Sequence, residues 1–208
     1  TKKPIIAIKA GASEAGKKAT LSHTGSLASE YEIYKAAFKQ AGVHLVETLT
    51  QAFDKANFLI SQKPAKKVVI ITNGGGVGVL TADYCTKNNL EVVSLPEQFI
   101  KKLKLNPSWS KNNPMDLVGT ANYKEYKNVL DNLSKENFYD SVIIIMLELI
   151  NLKMLNIAKE VIRFKNKTNK SISSVVVGGK KAEQAIKYLE KHNIPAFFEP
   201  ARAVEVLS

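Results

Sequence analysis

The sequence is poor in the residues that several specialised folds need. One cysteine among 208 residues, Cys85, excludes an intramolecular disulfide and any metal site built from several cysteines. No apolar run reaches the length of about 18 residues that a membrane-spanning helix needs, and the first residues lack the pattern of a signal peptide. We therefore expect a cytoplasmic protein that does not bind a membrane.

Arginine is also scarce, although the chain is strongly basic. The net charge is +11 at pH 7, yet only Arg163 and Arg202 among the 30 basic residues are arginines. Lysine is a solvated point charge, whereas arginine supplies the planar fork that reads bases. A lysine-coated surface is therefore favoured over a nucleic-acid-binding protein. Its field would also attract anionic metabolites such as nucleotides or coenzyme A.

Short apolar runs alternate with segments of helical periodicity along the whole chain. Residues 3–9 and 68–72 are predicted to be buried parallel strands, and residues 141–147, the most apolar run, a central strand. Further strands are predicted over residues 43–46, 92–94, 117–118, 172–177 and 196–198. Helices are predicted over residues 28–41, 49–60, 79–87, 96–103, 123–133, 151–165, 180–192 and from residue 201. This alternation indicates an α/β fold, a doubly wound parallel sheet of the flavodoxin-like kind.

The pattern divides into two parts. Residues 1–61 hold too few strands and helices for a complete α/β domain, so we interpret them as the C-terminal part of a domain, or as a piece that docks on something else. Residues 62–66 are polar and contain a proline, which predicts a linker. Residues 67–208 restart the alternation and are predicted to form a flavodoxin-like domain.

A segment rich in glycine, serine and threonine, residues 11–28, follows the first strand and is predicted to be a loop. Such loops, at the carboxyl ends of strands in open α/β sheets, are the usual ligand sites. His23 lies in this segment, with Ser22, Thr24 and Gly25 beside it. A lone histidine is usually structural, and we interpret His44 and His192 in that way. The small and hydroxyl neighbours of His23 make it a candidate for chemistry.

A second glycine-rich loop is predicted over residues 73–78, between a strand and a helix. Asn73, Gly74, Gly75 and Gly76 open this loop. The N–H groups and the dipole of the following helix would favour a bound anion there. The alternative is a tight turn that needs glycine for its backbone conformation alone.

Two further residues have open interpretations. Asp116 ends the sequence Asn-Pro-Met-Asp in a predicted loop, and it is either a carboxylate that contacts a ligand or part of an Asx turn or helix cap. Cys85 falls within the helix after the second glycine-rich loop, where it is predicted to be a small core residue.

Several of these segments together resemble one enzyme family, the ADP-forming acyl-CoA synthetases, which are relatives of succinyl-CoA synthetase. The resemblance covers essentially the whole chain, and its motifs lie at residues 3–16, 22–28, 36–43, 72–83 and 113–116. It implies that His23 is phosphorylated during turnover and that the loop beginning at Asn73 is one of two helix N-termini that bind the phosphoryl group. Ser29 departs from the family pattern, in which glycine is commoner.

The resemblance also implies a reaction and partners. Acyl-CoA, ADP and phosphate would be interconverted with free acid, ATP and CoA through an acyl phosphate and a phosphohistidine. CoA and ADP or ATP with Mg²⁺ would be substrates, with no covalent cofactor and no resident metal. A CoA-binding domain upstream and an ATP-grasp subunit or domain are expected as partners in a hetero-oligomer.

Two other classes of function stay open. One is a non-catalytic flavodoxin-like module of the same superfamily, with a binding or regulatory role. The other is a basic nucleic-acid-binding protein, whose binding would fall steeply with salt and would not depend on His23. A constitutive ATP-grasp partner would favour the enzyme.

Overall fold

The computed structural model describes residues 3–24, 31–149 and 152–208, and the side chains of all of these except His23 and Thr24. The chain divides into two compact units, unit 1 (Thr1–Leu59) and unit 2 (Ile60–Ser208). Among the described residues, no helix has the length and apolar character that crossing a membrane requires.

Unit 1 contains two short strands and three helices in its described part. In chain order they are β1 Ile6–Ile8, α1 Glu14–Thr24, α2 Tyr31–Ala41, β2 His44–Val46 and α3 Leu49–Leu59. The two strands run parallel, with Ile6 opposite His44. Among the described residues, the predicted helices and strands of this unit are confirmed, with one exception in the histidine segment. The predicted start of α2 at residues 28–30 lies outside the described residues.

That exception is helix α1, because residues 14–24 were expected to lie in a loop. The hydroxyl of Ser13 accepts a hydrogen bond from the N–H of Gly16 at 3.1 Å, as the N-cap residue of a helix does. The first part of the helix is rich in good helix formers, namely Glu14, Ala15, Lys17, Lys18 and Ala19, which outweigh the single glycine. His23 therefore lies in the last turn of a helix.

Apart from Phe58, the described large apolar side chains of unit 1 are exposed or half-buried. β1 was expected to be fully buried, but Ile8 is 43% exposed and the neighbouring Ile5 60%. No residue of α2 is buried, and Leu49 and Phe53 of α3 are 70% and 69% exposed. A two-stranded parallel sheet cannot cover both of its faces with the few helices available, which explains the difference from the prediction.

Unit 2 is built on a six-stranded parallel sheet. Its strands are β3 Lys67–Thr72, β4 Glu91–Val92, β5 Met115–Asp116, β6 Ser141–Leu147, β7 Ser171–Val177 and β8 Ala196–Phe197. The order is β4-β3-β6-β7-β8, and β5 pairs with the end of β3 beyond β4. This is the strand order of a flavodoxin-like doubly wound sheet, so the predicted fold is confirmed.

Helices connect these strands in the expected positions. They are α4 Gly75–Lys87, α5 Glu97–Lys102, α6 Tyr123–Leu133, α7 Met154–Lys165, α8 Lys180–Glu190 and α9 Pro200–Glu205. The central strand β6 is buried from Ser141 to Met146, and Cys85 is a buried core residue as predicted.

A side chain fills a gap in the sheet between β4 and β5. Asn113 donates hydrogen bonds from Nδ2 to the carbonyl oxygens of Val68 and Val93, both at 2.9 Å. Its Oδ1 accepts from the N–H of Ile70 at 2.9 Å. The amide of Asn113 thus replaces a strand residue, satisfying backbone groups that would otherwise be left without partners.

The predicted linker, residues 62–66, is packed against unit 2, and the division between the units falls earlier, after Leu59. Gln62 is 7% exposed because its side-chain amide pairs with Ile172: Oε1 accepts from the N–H at 2.6 Å and Nε2 donates to the carbonyl at 3.0 Å. Lys63 is likewise bonded to Ser171. The polar residues of this segment therefore bond the first residues of β7, which lie before the part of β7 that pairs with β8, from Ser174 on.

Candidate functional site

The carboxyl ends of the parallel strands of unit 2 meet at one edge of the sheet, where ligands bind in this fold. The chain leaves β3 toward β4 on one side, while β6 lies on the other side of β3, so the strand order changes direction between β3 and β6. The glycine-rich segment after β3 starts at this point. Asp116, at the end of β5, and Glu148, directly after β6, lie at the same edge.

The second glycine-rich loop is shorter than predicted, because α4 begins at Gly75 and not at residue 79. Gly75 and Gly76 therefore form the first turn of the helix. Gly74 is the N-cap residue, and no side chain caps this helix end. The first N–H groups of a helix have no partner within the helix, and they favour an anion.

Close packing explains why a glycine is needed at position 78. A Cβ there would lie 2.9 Å from Cγ2 of Thr72 and 3.3 Å from Cβ of Pro114. The missing side chain lets α4 pack directly against β3. By contrast, a Cβ at Gly76 would meet no atom within 4 Å, so space does not require glycine there.

Asn73 has a structural side chain. Its Nδ2 donates to the carbonyl of Leu147 at 3.0 Å, and its Oδ1 accepts from the N–H of the same residue at 2.9 Å. The amide thereby joins the ends of β3 and β6. Thr72 fixes the next residue, since its Oγ1 accepts from the N–H of Gly74 at 3.0 Å. An anion at this edge would therefore meet the backbone N–H groups of α4 and not the amide of Asn73.

Asp116 lies in strand β5, which ends directly before the predicted strand at 117–118. Its Oδ1 accepts from the N–H of Val118 at 2.9 Å, as in an Asx turn. Burial raises the pKa of the Tyr126 hydroxyl well above its usual value, and the negative charge of Asp116 raises it further. That hydroxyl donates to the carbonyl of Ile145 at 2.6 Å.

A second helix end at the same edge is occupied by a side chain. Glu148 accepts a hydrogen bond at Oε2 from the N–H of Gly179, the N-cap residue of α8, at 2.8 Å. The carboxylate therefore sits at the positive end of that helix. Sequence reasoning missed Glu148, although Gly178 and Gly179 follow a buried strand and precede a helix, as the glycines after β3 do.

In unit 1, the residues predicted around the histidine are described only in part. Ser22 is exposed, and its hydroxyl donates to the carbonyl of Ala19 within α1 at 2.8 Å. The backbone of His23 and Thr24 belongs to α1, while their side chains and the whole of Gly25 lie outside the described residues.

The other two histidines have structural surroundings. In unit 1, burial lowers the pKa of His44, and the nearby charge of Lys55 lowers it further. The pKa of Lys55 is itself lowered to about 8 by burial. In unit 2, His192 shares a hydrogen bond between Nδ1 and the carbonyl of Tyr188 at 2.8 Å.

A groove of about 880 Å³ lies at the opposite, amino-terminal edge of the sheet in unit 2. Its basic lining residues are Lys63, Lys66, Lys167 and Lys170. Its acidic residues have partners: Glu136 pairs with Lys102 at 2.8 Å, and Asp140 accepts from the N–H of Lys67 at 3.1 Å. None of the predicted site residues lines this groove.

Two family models match the chain. The succinyl-CoA ligase like flavodoxin domain matches residues 1–59, and the Ligase-CoA domain matches residues 68–208. The two matches correspond closely to units 1 and 2.

Curated relatives are similar over the full chain. It is 40% identical over 212 residues to the alpha subunit of acetate–CoA ligase [ADP-forming] I of Pyrococcus furiosus, with 100% of this chain and 46% of that protein covered. It is 39% identical over 215 residues to acetate–CoA ligase [ADP-forming] of Methanocaldococcus jannaschii, with 100% and 30% covered. The chain thus spans less than half the length of these relatives.

A solved structure is similar over nearly the whole chain. It is described as the dinucleotide forming acetyl-coenzyme A synthetase 1 of Ca. Korarchaeum cryptofilum in complex with phosphate and ADP. The TM-score is 0.92 at 31% identity, with 99% of this chain and 46% of that chain covered. A protein of Pyrococcus horikoshii, PH0766, gives a TM-score of 0.83 at 30% identity, with 99% and 45% covered. The chain belongs to the Ligase-CoA domain family and, within it, to the lineage of the ADP-forming acyl-CoA synthetases.

Proposed function

We propose that this chain is the phosphohistidine-bearing part of an ADP-forming acyl-CoA synthetase. The observation that carries the proposal is the similarity over the full chain to the alpha subunit of acetate–CoA ligase [ADP-forming] I, at 40% identity. The similar structure with bound phosphate and ADP adds that a relative of the same fold binds both molecules.

The reaction has three steps. Phosphate attacks the acyl carbon of acyl-CoA, and the thiolate of CoA leaves, giving an acyl phosphate. A neutral imidazole nitrogen of His23 then attacks the phosphorus, and the carboxylate of the free acid leaves. Finally, a terminal oxygen of ADP attacks the phosphohistidine, which restores the imidazole and gives ATP.

Within this chain, the first turn of α4 would bind the oxygens of the phosphoryl group. Gly75 and Gly76 present backbone N–H groups without a side-chain cap, and they allow a ligand to approach the backbone closely. Ser22, Thr24 and Gly25 would surround the histidine. Fixed donors of this kind stabilise charge that develops during phosphoryl transfer without having to reorganise.

The remaining substrates and partners are assigned to other parts of the enzyme. CoA would bind a domain upstream of this chain, and ADP with Mg²⁺ an ATP-grasp subunit or domain in a hetero-oligomer. The exposed Ile5, Leu49 and Phe53 of unit 1 support this view, since a further part of the domain would cover them. The greater length of the relatives supports it as well.

The test is phosphorylation with ATP labelled at the γ position, in the presence of an ATP-grasp subunit. We expect label on this chain that survives alkali and is lost in acid, as a phosphoramidate does. The variant His23→Asn should carry no label. The matched control His192→Asn, in the exposed residue bonded to Tyr188, should be labelled like the wild type. Label that persists in His23→Asn would refute the phosphohistidine, and absence of label with an active partner would favour a non-catalytic binding module.

A further inference from the structure

Val118 has a backbone conformation that its side chain disfavours. Four non-glycine residues among those described have a positive φ, namely Asn89, Lys111, Val118 and Asn193. Asparagine adopts this region readily, whereas a β-branched residue does so rarely. Val118, at a φ of 64°, is the β-branched member of this set. Its surroundings must hold it there.

Asp116 supplies the main restraint. Its Oδ1 accepts from the N–H of Val118 at 2.9 Å, and the carbonyl of Val118 accepts from the N–H of Ala121 at 3.0 Å. We call residues 117–121 the Val118 turn. Asp116 is fixed in turn by Ser110, whose Oγ accepts from the N–H of Asp116 and whose N–H donates to its carbonyl, both at 3.0 Å.

The other oxygen of the same carboxylate lies against the start of α4. A Cβ placed on Gly75 would be 2.7 Å from Oδ2 of Asp116. One side chain therefore contacts the Val118 turn through one oxygen and the first turn of α4 through the other. Glycine at position 75 is what allows this approach.

We propose that Asp116 is a positioning residue whose carboxylate holds the Val118 turn and the first turn of α4 together, and whose charge limits how tightly that helix end binds an anion. The second clause rests on the proposed function, in which this helix end binds the phosphoryl group. A carboxylate repels a phosphoryl group, so Asp116 is not itself an anion ligand. Weaker binding suits a carrier, because a phosphoryl group held too tightly would not be passed on.

Two variants separate these effects. Asp116→Asn keeps an oxygen that can accept from Val118 but removes the charge. Asp116→Ala removes both. A matched control, Asp83→Asn, also removes one negative charge, but at a position in α4 that lies eight residues after Gly75, about 12 Å along the helix. At physiological ionic strength a charge at that distance is largely screened.

The readout is the backbone amide NMR spectrum of the full chain, without and with inorganic phosphate. Without phosphate, Asp116→Ala should shift the amides of the Val118 turn and of Gly75, whereas Asp116→Asn should leave the Val118 turn close to wild type. With phosphate, Asp116→Asn should bind about fivefold more tightly at the Gly75 and Gly76 amides, the effect of removing one charge at about 4 Å in water. Asp83→Asn should match the wild type.

Each result decides a different claim. An unmoved Gly75 amide in Asp116→Ala would overturn the positioning role. Equal phosphate affinity in Asp116→Asn and Asp83→Asn would overturn the role of the charge. A residue with a merely structural role would not alter this affinity when only its charge is removed. If the wild-type amides did not respond to phosphate, the anion site of the proposed function would fail, while the phosphate-free spectra would still decide the positioning role.

Discussion

Two helix ends at one edge of the same sheet are built alike and used differently. Both α4 and α8 begin directly after a buried parallel strand, and each has a glycine as its N-cap residue. At α8, the carboxylate of Glu148 accepts from the N–H of Gly179 at 2.8 Å. At α4, the corresponding N–H of Gly74 is bonded to the neutral hydroxyl of Thr72 at 3.0 Å. The group bonded to the N-cap N–H therefore differs in charge between the two ends, being a carboxylate at α8 and a hydroxyl at α4.

The glycines at the two ends make room for different side chains. At α8, a Cβ on Gly178 would collide with Cβ of Glu148, so this glycine makes room for that side chain. At α4, a Cβ on Gly74 would collide with Leu147 and one on Gly75 would lie 2.7 Å from Oδ2 of Asp116, whereas a Cβ on Gly76 would meet nothing within 4 Å. We call the start of α8, where Glu148 packs against Gly178, the closed end, and the start of α4, where a Cβ on Gly76 would meet no atom, the open end.

The largest expected effect comes from filling the closed end. Gly178→Ala places a methyl group against Glu148 and forces alanine into a φ of 158°. We expect it to lower the free energy of unfolding by about 2–3 kcal/mol, as other steric and backbone conflicts do. Urea denaturation of the full chain measures this.

The matched control for this variant is Gly76→Ala at the open end. Alanine is favoured over glycine within a helix by about 0.8–1.0 kcal/mol, so this variant should be neutral or slightly more stable. Comparable losses in the two variants would mean that both helix ends are packed alike, which would end the distinction between them.

A smaller loss of stability is expected from changing Asn73, which lies directly before the N-cap residue of α4. Asn73→Asp replaces the N–H donor that faces the carbonyl of Leu147 with an oxygen. Only one of the two hydrogen bonds to Leu147 can then form. We expect a loss of about 1–3 kcal/mol, the cost of leaving a buried carbonyl without a partner.

The control for Asn73→Asp is Asn169→Asp, which adds the same charge at an exposed position. It should change the free energy of unfolding by less than about 0.5 kcal/mol. If Asn73→Asp were equally mild, the side-chain amide would not be what joins β3 to β6.

The sequence predicted most of the fold because the relevant signals are local. Helix α6 was predicted at its observed bounds, since apolar periodicity is reinforced by a capping box in which Asn122 and Glu125 bond each other's backbone. The central strand was equally clear, because seven apolar or small residues suit a strand buried on both faces.

The candidate site was predicted only as a pair of glycine-rich segments. The contacts that define it are long-range: Asn73 and Leu147 lie 74 residues apart, and Glu148 and Gly179 lie 31 apart. Periodicity carries no information on such pairs. Helix α1 in the histidine segment was missed for another reason. The glycines, serines and threonines of this segment are typical of a loop, and a single serine at position 13 did not by itself indicate an N-cap.

The smallest expected effect on stability comes from opening the closed end. Glu148→Ala removes the carboxylate that accepts from the N–H of Gly179, which should cost about 1 kcal/mol, while Glu148→Gln keeps an acceptor and should cost less. The more informative readout is phosphate binding at the amides of Gly179 and Lys180. The shifts of these amides should not change with inorganic phosphate in the wild type and should change in Glu148→Ala, because the negative charge of Glu148 no longer repels an anion from the start of α8. Amides that stay silent in this variant would show that an empty helix end is insufficient, and that α4 owes any anion affinity to the glycines of its first turn.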